Sequence, residues 1–243
     1  MTNRPQLHDF QIQGMAARAD VAGVLVLPDL ATLIVSDLHF EKGSAYAARG
    51  QLIPPYDTRS TLRRLAECIA RHQPQRVIAL GDSFHDLGAD GRMDAVDAGE
   101  LQALVAAVED WVWIEGNHDP APPLRFGGTI LHELALGALT LRHLPFEGLA
   151  PGEIAGHLHP CAKVRGKGRA VRARCFATDG TRLVMPAFGA FTGGLNVCDA
   201  AFGRCFGATP DALIMGQNAV YPVRAAKLIP DRAQSRPKST EAR

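Results

Sequence analysis

The sequence has no long apolar run and almost no net charge. No stretch approaches the ~20 apolar residues of a membrane-spanning helix, and residues 1–20 lack the basic-then-apolar layout of a secretory signal. The formal net charge is +1, so any attraction to nucleic acid or anionic membrane must be local. Nucleotide loops of the Walker or Rossmann type are absent, as are serine, cysteine and lysine nucleophile motifs. We therefore expect a globular cytoplasmic protein.

Cysteine is scarce and irregularly placed. The five cysteines are odd in number, and no two form a Cys-x-x-Cys pair. This pattern argues against a disulfide framework and against a structural zinc knuckle. We expect small buried hydrophobic side chains in a reducing compartment, with Cys161 the nearest to reactive residues.

The first half of the chain alternates strand-like and helix-like segments. Apolar residues recur at helical spacing from Asp57 to His72 and again from Asp94 to Glu109. The buried strand-like runs are Val21–Leu27 and Ala31–Val35, which form a hairpin, then Val77–Leu80 and Trp111–Ile114. This alternation predicts a parallel sheet whose functional loops lie beyond the carboxyl ends of the strands.

The second half consists of short apolar runs separated by glycine and proline, which favours a mostly antiparallel second sheet. The runs are Gly128–His132, Ala138–His143, Glu153–Ala155, Val171–Ala177, Arg182–Met185, Leu195–Cys198, Ala212–Met215 and Ala219–Val223. No linker composition separates the halves, so we expect one domain over residues 1–230. Residues 231–243 are polar without periodicity, which is typical of a disordered tail.

Residues that can bind cations or move protons follow several of these runs. Taken singly, each is common, because Gly-Asp is often a turn and an isolated histidine is often a satisfied polar group. In combination and in this order, they indicate one site at the strand ends. The candidates are Asp37, His39, Asp82, His85, Asn117, His118, Asp119, His143, His157 and His159.

Seven of these residues have a composition that favours two divalent cations: Asp37, His39, Asp82, Asn117, His143, His157 and His159. Neutral imidazoles and an amide add no charge, so two carboxylates would leave two ions with about two excess positive charges. Such a site attracts phosphate and lowers the pKa of bound water toward ~7. Mixed nitrogen and oxygen donors favour manganese, iron or zinc over calcium or magnesium. Asp82, in the central motif, is suited to bridge the ions.

Asp37-Leu38-His39, Gly81-Asp82, Gly116-Asn117-His118-Asp119, His143 and Gly156-His157-Leu158-His159 together resemble the motif series of the calcineurin-like metallophosphoesterase superfamily. The resemblance implies a four-layer α/β/β/α sandwich of two mixed sheets flanked by helices, and a two-metal hydrolase. It implies that Asp37, His39, Asp82 and His159 hold one ion, and that Asp82, Asn117, His143 and His157 hold the other. His118 would face the scissile phosphate and protonate the leaving oxygen.

One position departs from many phosphatases of that superfamily. They carry aspartate three residues after the bridging one, where this chain has His85 followed by Asp86. This segment instead resembles the nuclease branch typified by the Mre11 proteins. Either Asp119 or Asp86 could then orient His118, and His85 is either a second histidine near the phosphate or a supporting residue.

Two further segments resemble the bacterial group of ligase-associated DNA-damage-response endonucleases. They are the first motif, Ser36–Gly43, and the glycine-rich stretch Met185–Asn196. The resemblance implies DNA as substrate and association with an ATP-dependent DNA ligase and a helicase.

A basic segment follows the His157/His159 motif and is a candidate DNA-binding surface. Clustered cations of this kind grip phosphate backbones, although a solvated hairpin tip would have the same composition. The residues are Lys163, Arg165, Lys167, Arg169, Arg172 and Arg174.

These observations favour a two-metal phosphodiesterase, a DNA endonuclease in DNA repair. The alternatives are a small-molecule or nucleotide phosphodiesterase, a phosphomonoesterase, and, in a different class, a non-catalytic scaffold of a repair complex.

Overall fold

The computed structural model describes residues 7–51, 53–54, 56–166 and 168–231. The tail predicted at residues 231–243 lies outside the described residues except for Asp231, and Lys167 of the basic segment lies outside them too. Within the described ranges, no helix is long and apolar enough to cross a membrane.

Seven strands form the first sheet, and their order in the sheet is their order in the chain. They are β1 (His8–Ile12), β2 (Met15–Ala19), β3 (Leu25–Leu27), β4 (Thr32–Val35), β5 (Arg76–Leu80), β6 (Asp110–Ile114) and β7 (Thr129–Leu131). Pairing is antiparallel from β1 to β4 and parallel from β4 to β7. The predicted hairpin and the predicted parallel strands are confirmed, whereas β1 and β2 were not expected.

The second sheet is mostly antiparallel, as predicted, but has a parallel centre. Its strands are β8 (Glu133–Leu136), β9 (Leu139–Arg142), β10 (Glu153–Ala155), β11 (Pro160–Arg165), β12 (Ala170–Thr178), β13 (Leu183–Val184), β14 (Leu195–Asn196), β15 (Asp211–Met215) and β16 (Val220–Val223). Strand β10 runs parallel to both β9 and β13.

The prediction that the run Gly128–His132 belongs to the second sheet was wrong. Strand β7 pairs with β6 in the first sheet, with Val112 opposite Thr129. The chain just before β7 can lie close to β6 because Gly128 has no side chain. A Cβ at Gly128 would lie 2.8 Å from the Trp111 carbonyl oxygen.

In the part of the chain that the structure describes, five helices flank the sheets: α1 (Lys42–Ala48), α2 (Asp57–His72), α3 (Ala89–Arg92), α4 (Ala95–Ala106) and α5 (Ala200–Phe206). Helix α2 has the predicted bounds, and α4 ends three residues before the predicted Glu109. Helices α1, α3 and α5 were not predicted; α1 and α5 have only seven residues, and α3 has four, too short for a clear apolar period.

Alternate residues of the central strands face different layers. Leu33 and Val35 pack with α2 and α4, whereas Ile34 between them packs against Leu141 and Ile154 of the second sheet. On the far side of that sheet, α5 is anchored by Phe202. Period-2 alternation thus buries both faces of the first sheet, and the predicted arrangement of two mixed sheets flanked by helices is confirmed.

A buried ion pair fixes the strand that leads into the His157/His159 loop. The side chains of Glu153, at the start of β10, and Arg182 are each 2% exposed and form a salt bridge. Arg182 also donates hydrogen bonds to the carbonyl oxygens of Phe146 (2.9 Å) and Gly148 (2.7 Å). Removing one partner would leave a buried charge without compensation.

We therefore expect Glu153→Ala to lower the free energy of unfolding by about 3–5 kcal/mol. The matched control is Glu147→Ala, which breaks an exposed ion pair with Arg204 (2.8 Å) and should cost no more than about 1 kcal/mol. Urea denaturation measures both, and equal small losses would contradict the role of the buried pair.

Candidate dinuclear metal centre

The structure brings the predicted ligands together at one edge of the molecule. Asp37 and Asp82 follow β4 and β5, and Asn117 follows β6, so all three lie beyond the carboxyl ends of parallel strands. His143 follows β9, and His157 follows β10 in the facing sheet. Both sheets therefore deliver side chains to the same place, as the sequence predicted.

The loops after β4 and β5 continue the strand pairing past the end of the sheet, and we call them the paired loops (residues 36–40 and 81–85). Asp37 N donates to the Gly81 carbonyl (3.2 Å), His39 N to Asp82 O (2.9 Å) and Phe40 N to Ser83 O (2.8 Å). His85 N returns a hydrogen bond to Phe40 O at 2.9 Å. The two loops consequently form one unit of backbone.

The backbone at the candidate ligands is strained. Ten non-glycine residues in the described ranges have positive φ, and five of them are candidate ligands: Asp37 (54°), His39 (47°), Asp82 (47°), His157 (68°) and His159 (46°). The left-handed conformation is unfavourable for residues with a Cβ. Concentration of such strain at one cluster indicates a functional site rather than a fold requirement.

Two glycines are needed where the loops meet. A Cβ on Gly116 would overlap the backbone nitrogen of Asp82, and one on Gly156 would overlap Ser36 Oγ. The glycine that precedes each of these ligand motifs is therefore explained by close backbone approach.

The first group of potential ligands consists of Asp37, His39 and His159, each of which offers an atom within 4.8 Å of the others. His159 Nε2 lies 3.0 Å from Asp37 Oδ1 and 3.4 Å from His39 Nε2. Burial lowers the pKa of His39 to about 3 against the raising effect of Asp37 and Asp82. A neutral imidazole with an available ring nitrogen results, which is the form that ligates metal.

The second group consists of Asp82, His143 and His157, also within 4.8 Å of one another. His143 Nε2 lies 2.9 Å from Asn117 Oδ1, so the amide belongs to this group. His143 Nδ1 donates to the Leu80 carbonyl (2.9 Å), which leaves Nε2 directed at the site. His157 Nδ1 lies 3.3 Å from that Nε2.

Asp82 lies between the two groups. Its Oδ2 is 3.9 Å from His39 Nε2 of the first group, and its Oδ1 is 3.4 Å from His143 Nε2 of the second. Burial opposes ionisation, but the hydrogen bond and positive charge of His143 outweigh it and hold the pKa of Asp82 below its usual range. An ionised carboxylate with one oxygen toward each group can bridge two cations.

His143 is the basic member of the site. Burial lowers its pKa, but the hydrogen bond to Asp82 and the charges of Asp37 and Asp82 raise the pKa of His143 to about 9. A cation that binds its Nε2 must therefore replace a proton.

His118 belongs to neither group, although it lies beside them. Its Nε2 is 4.0 Å from Asp82 Oδ2, and its side chain is 43% exposed. Its Nδ1 lies 2.9 Å from the backbone oxygen of His85, an atom that can only accept, so Nδ1 carries the hydrogen. Neither carboxylate considered from the sequence orients this ring.

Those two carboxylates have other partners. Asp119 accepts hydrogen bonds from the backbone nitrogens of Ser83 (2.9 Å) and Phe84 (3.1 Å) and so holds the loop that carries Asp82. The pKa of Asp119 is raised to about 7. Burial and the negative charge of Asp82 raise it, and the two backbone hydrogen bonds oppose them in part. Asp86 pairs with Arg92 at 2.6 Å.

His85 is stacked against His118, with ring centroids 5.4 Å apart and an interplanar angle of 22°. Burial, together with the positive charges of Lys42, His118 and Arg49, lowers the pKa of His85 to about 4. Sequence reasoning missed Lys42, Tyr46 and Arg49 as neighbours of the site, although their spacing along α1 was the available signal.

The described part of the basic segment lies in the β11–β12 hairpin, and three of its five described cations are already engaged. Lys163 and Arg172 pair with Asp231 at 3.4 and 3.3 Å, and Arg174 donates to the carbonyls of Ala187 and Gly189. Arg165 and Arg169 are exposed at the hairpin end, and neither forms an ion pair with any described residue. The end of β11 lies about 17 Å from its start beside His159.

The residues present fit two divalent cations. Each group supplies an ionised carboxylate and imidazole nitrogens, and the shared Asp82 lies between them. Such mixed donors suit first-row transition metals.

We expect Asp82→Ala to weaken binding of both ions by at least about 100-fold, since loss of an outer partner alone costs 10–100-fold. His118→Ala should keep both ions, because His118 belongs to neither group. Metal analysis after reconstitution with Mn²⁺ and desalting measures the difference. Equal metal loss in the two variants would contradict this assignment.

The part of the chain that carries these residues matches a known family. The sequence pattern of the calcineurin-like phosphoesterase family matches residues 30–167, a segment that includes all seven proposed ligands. No curated protein sequence matches the chain.

Among solved structures, the Pseudomonas putida nuclease MPE is 27% identical with a TM-score of 0.69, over 90% of this chain and 100% of that one. Yfce, a phosphoesterase from E. coli, is 15% identical with a TM-score of 0.40, over 80% of this chain and 98% of that one. The chain belongs to the calcineurin-like phosphoesterase family.

Proposed function

We propose that the protein is a two-metal-dependent phosphodiesterase that cleaves DNA as an endonuclease, in a DNA repair role and with Mn²⁺ as the favoured ion. The observation that carries the proposal is the position of Asp82 between two groups of carboxylate and imidazole donors, with His118 beside it. Similarity to the Pseudomonas putida nuclease over the whole of that chain supports a nucleic acid substrate.

The chemistry follows from charge and from the orientation of one histidine. Two divalent cations at this site would neutralise phosphoryl oxygens and make a bound water acidic enough to act as a nucleophile near neutral pH. His118 donates from Nδ1 to the His85 carbonyl, so its Nε2 is free to hold the proton that a leaving oxygen requires. The ring is half-exposed and therefore accessible to a substrate.

The donor set also supports the choice of metal. Imidazole nitrogens outnumber carboxylates, whereas Mg²⁺ and Ca²⁺ prefer shells made of oxygen. Within the first-row metals, Mn²⁺ tolerates the carboxylate and amide oxygens of Asp37, Asp82 and Asn117.

The substrate is tested with three phosphate esters and Mn²⁺. We expect cleavage of supercoiled plasmid and hydrolysis of bis-p-nitrophenyl phosphate, with slower turnover of p-nitrophenyl phosphate. His118→Ala should cut plasmid cleavage by about 10²–10⁴-fold. Rapid monoester turnover with plasmid left intact would contradict the nuclease proposal. Fewer than one bound ion per chain and no turnover would favour a scaffold in a repair complex.

The hairpin end is proposed to contact DNA at a distance from the reacting phosphate. Replacing Arg165 and Arg169 by alanine should weaken DNA binding and reduce the salt dependence of its affinity by about one unit of log–log slope per lost phosphate contact. Hydrolysis of bis-p-nitrophenyl phosphate should fall far less, since that ester is too small to reach the hairpin.

The matched control removes two arginines elsewhere, Arg18 and Arg63, which pair with Asp9 and Glu67 on exposed surfaces. An equal loss of DNA binding in both double variants would mean that only total charge matters. Association with a DNA ligase and a helicase is a further part of the proposal, and co-purification from cells tests it.

A further inference from the structure

Helix α1 begins two residues after the first of the paired loops (residues 36–40), and one of its faces lies toward the site. Lys42 and Tyr46 are four residues apart on α1, so they project from the same side of the helix, and Arg49 is the residue that caps its C-terminal end. The Tyr46 ring centroid is 5.9 Å from that of His85, and Lys42 Nζ is 6.0 Å from the Tyr46 ring. With the His85–His118 stack, this makes a continuous row of side chains leading away from His118.

The helix is held firmly against the loop that carries His85. Gly43 N donates to Asp57 Oδ2 at 2.9 Å, and a Cβ at Gly43 would overlap that carboxylate. On the other side, Arg92 donates to Ser44 Oγ at 3.0 Å and to Asp86 Oδ1 at 2.6 Å, next to His85. The row is therefore positioned before any substrate arrives.

Lys42 and Arg49, the two cations beside Tyr46, form no salt bridge within the described ranges. Lys42 and Arg49 lie close enough to His85 for their charges to act on its ring. Neither forms an ion pair with any carboxylate in the described ranges, and the nearby Asp57 is buried and bound to Gly43 N. Lys42 is the first residue of α1 and Arg49 caps its end, so their backbones are about 10 Å apart along the helix axis and the two cations extend from opposite ends of α1.

We propose that this face of α1 binds the nucleotide next to the scissile phosphodiester, on the leaving-group side marked by His118. Tyr46 packs against its base, and Lys42 and Arg49 contact successive backbone phosphates. A half-buried aromatic flanked by cations is the combination that binds single nucleic acid strands. This inference rests on the proposed function and adds that efficient cleavage requires a flanking nucleotide.

The test compares a short single-stranded oligodeoxynucleotide with bis-p-nitrophenyl phosphate, both with Mn²⁺. Tyr46→Leu should lower kcat/KM for the oligonucleotide by about tenfold to a hundredfold, mainly through KM. Tyr46→Phe keeps the ring and should restore most of it. Lys42→Met/Arg49→Met should lower oligonucleotide cleavage more at low than at high salt, with Arg18→Met/Arg63→Met on other exposed surfaces as the charge-matched control.

The outcomes separate this inference from the proposed function. A larger loss on the oligonucleotide than on the small diester, with Mn²⁺ content retained, supports binding by α1. Equal losses on both substrates, or Tyr46→Phe as poor as Tyr46→Leu, would overturn it, because α1 would then serve only to support the site. If the unsubstituted protein hydrolyses the small diester and leaves the oligonucleotide intact, the proposed DNA substrate itself fails.

Discussion

The position of Asp82 imposes the main constraint on this molecule. One carboxylate must reach toward two groups of histidines supplied by loops of both sheets, with one oxygen 3.9 Å from His39 and the other 3.4 Å from His143. The carboxyl ends of the two sheets can meet there only if several loops turn sharply within a few residues. The left-handed backbone at Asp37, His39 and Asp82 is a consequence of that turning.

Electrostatics at the site follow from burial and from the ratio of acids to histidines. Asp37 and Asp82 remain ionised because histidines surround them, although burial opposes the charge. His39 stays neutral, and His143 takes a proton because both carboxylates act on it. The site thus holds two anionic carboxylates beside neutral imidazoles and one protonated imidazole, and two cations that displace the His143 proton would leave net positive charge for an anionic substrate.

Much of the site could be predicted from sequence because each ligand directly follows a buried run, and parallel strands end at a common edge. Asn117 and His157 were identified in this way. The group that orients His118 could not be, since it is the backbone oxygen of His85, and a carbonyl leaves no mark on the residue type. The partners of Arg172 and Arg174 could not be predicted for a related reason. They are Asp231, which is distant in the chain, and backbone oxygens. The short run that became β7 was placed in the wrong sheet because its pairing depends on Gly128 fitting against Trp111.

The paired loops have a consequence for how the centre fills. Residues 36–40 and 81–85 are cross-linked by four backbone hydrogen bonds; the first loop carries Asp37 and His39 of the first group, and the second carries Asp82, which lies between both groups. A displacement of one loop moves the other with it, so occupancy at one position changes the geometry presented at its neighbour. If two cations bind, their loading would be coupled through the main chain as well as through the shared carboxylate.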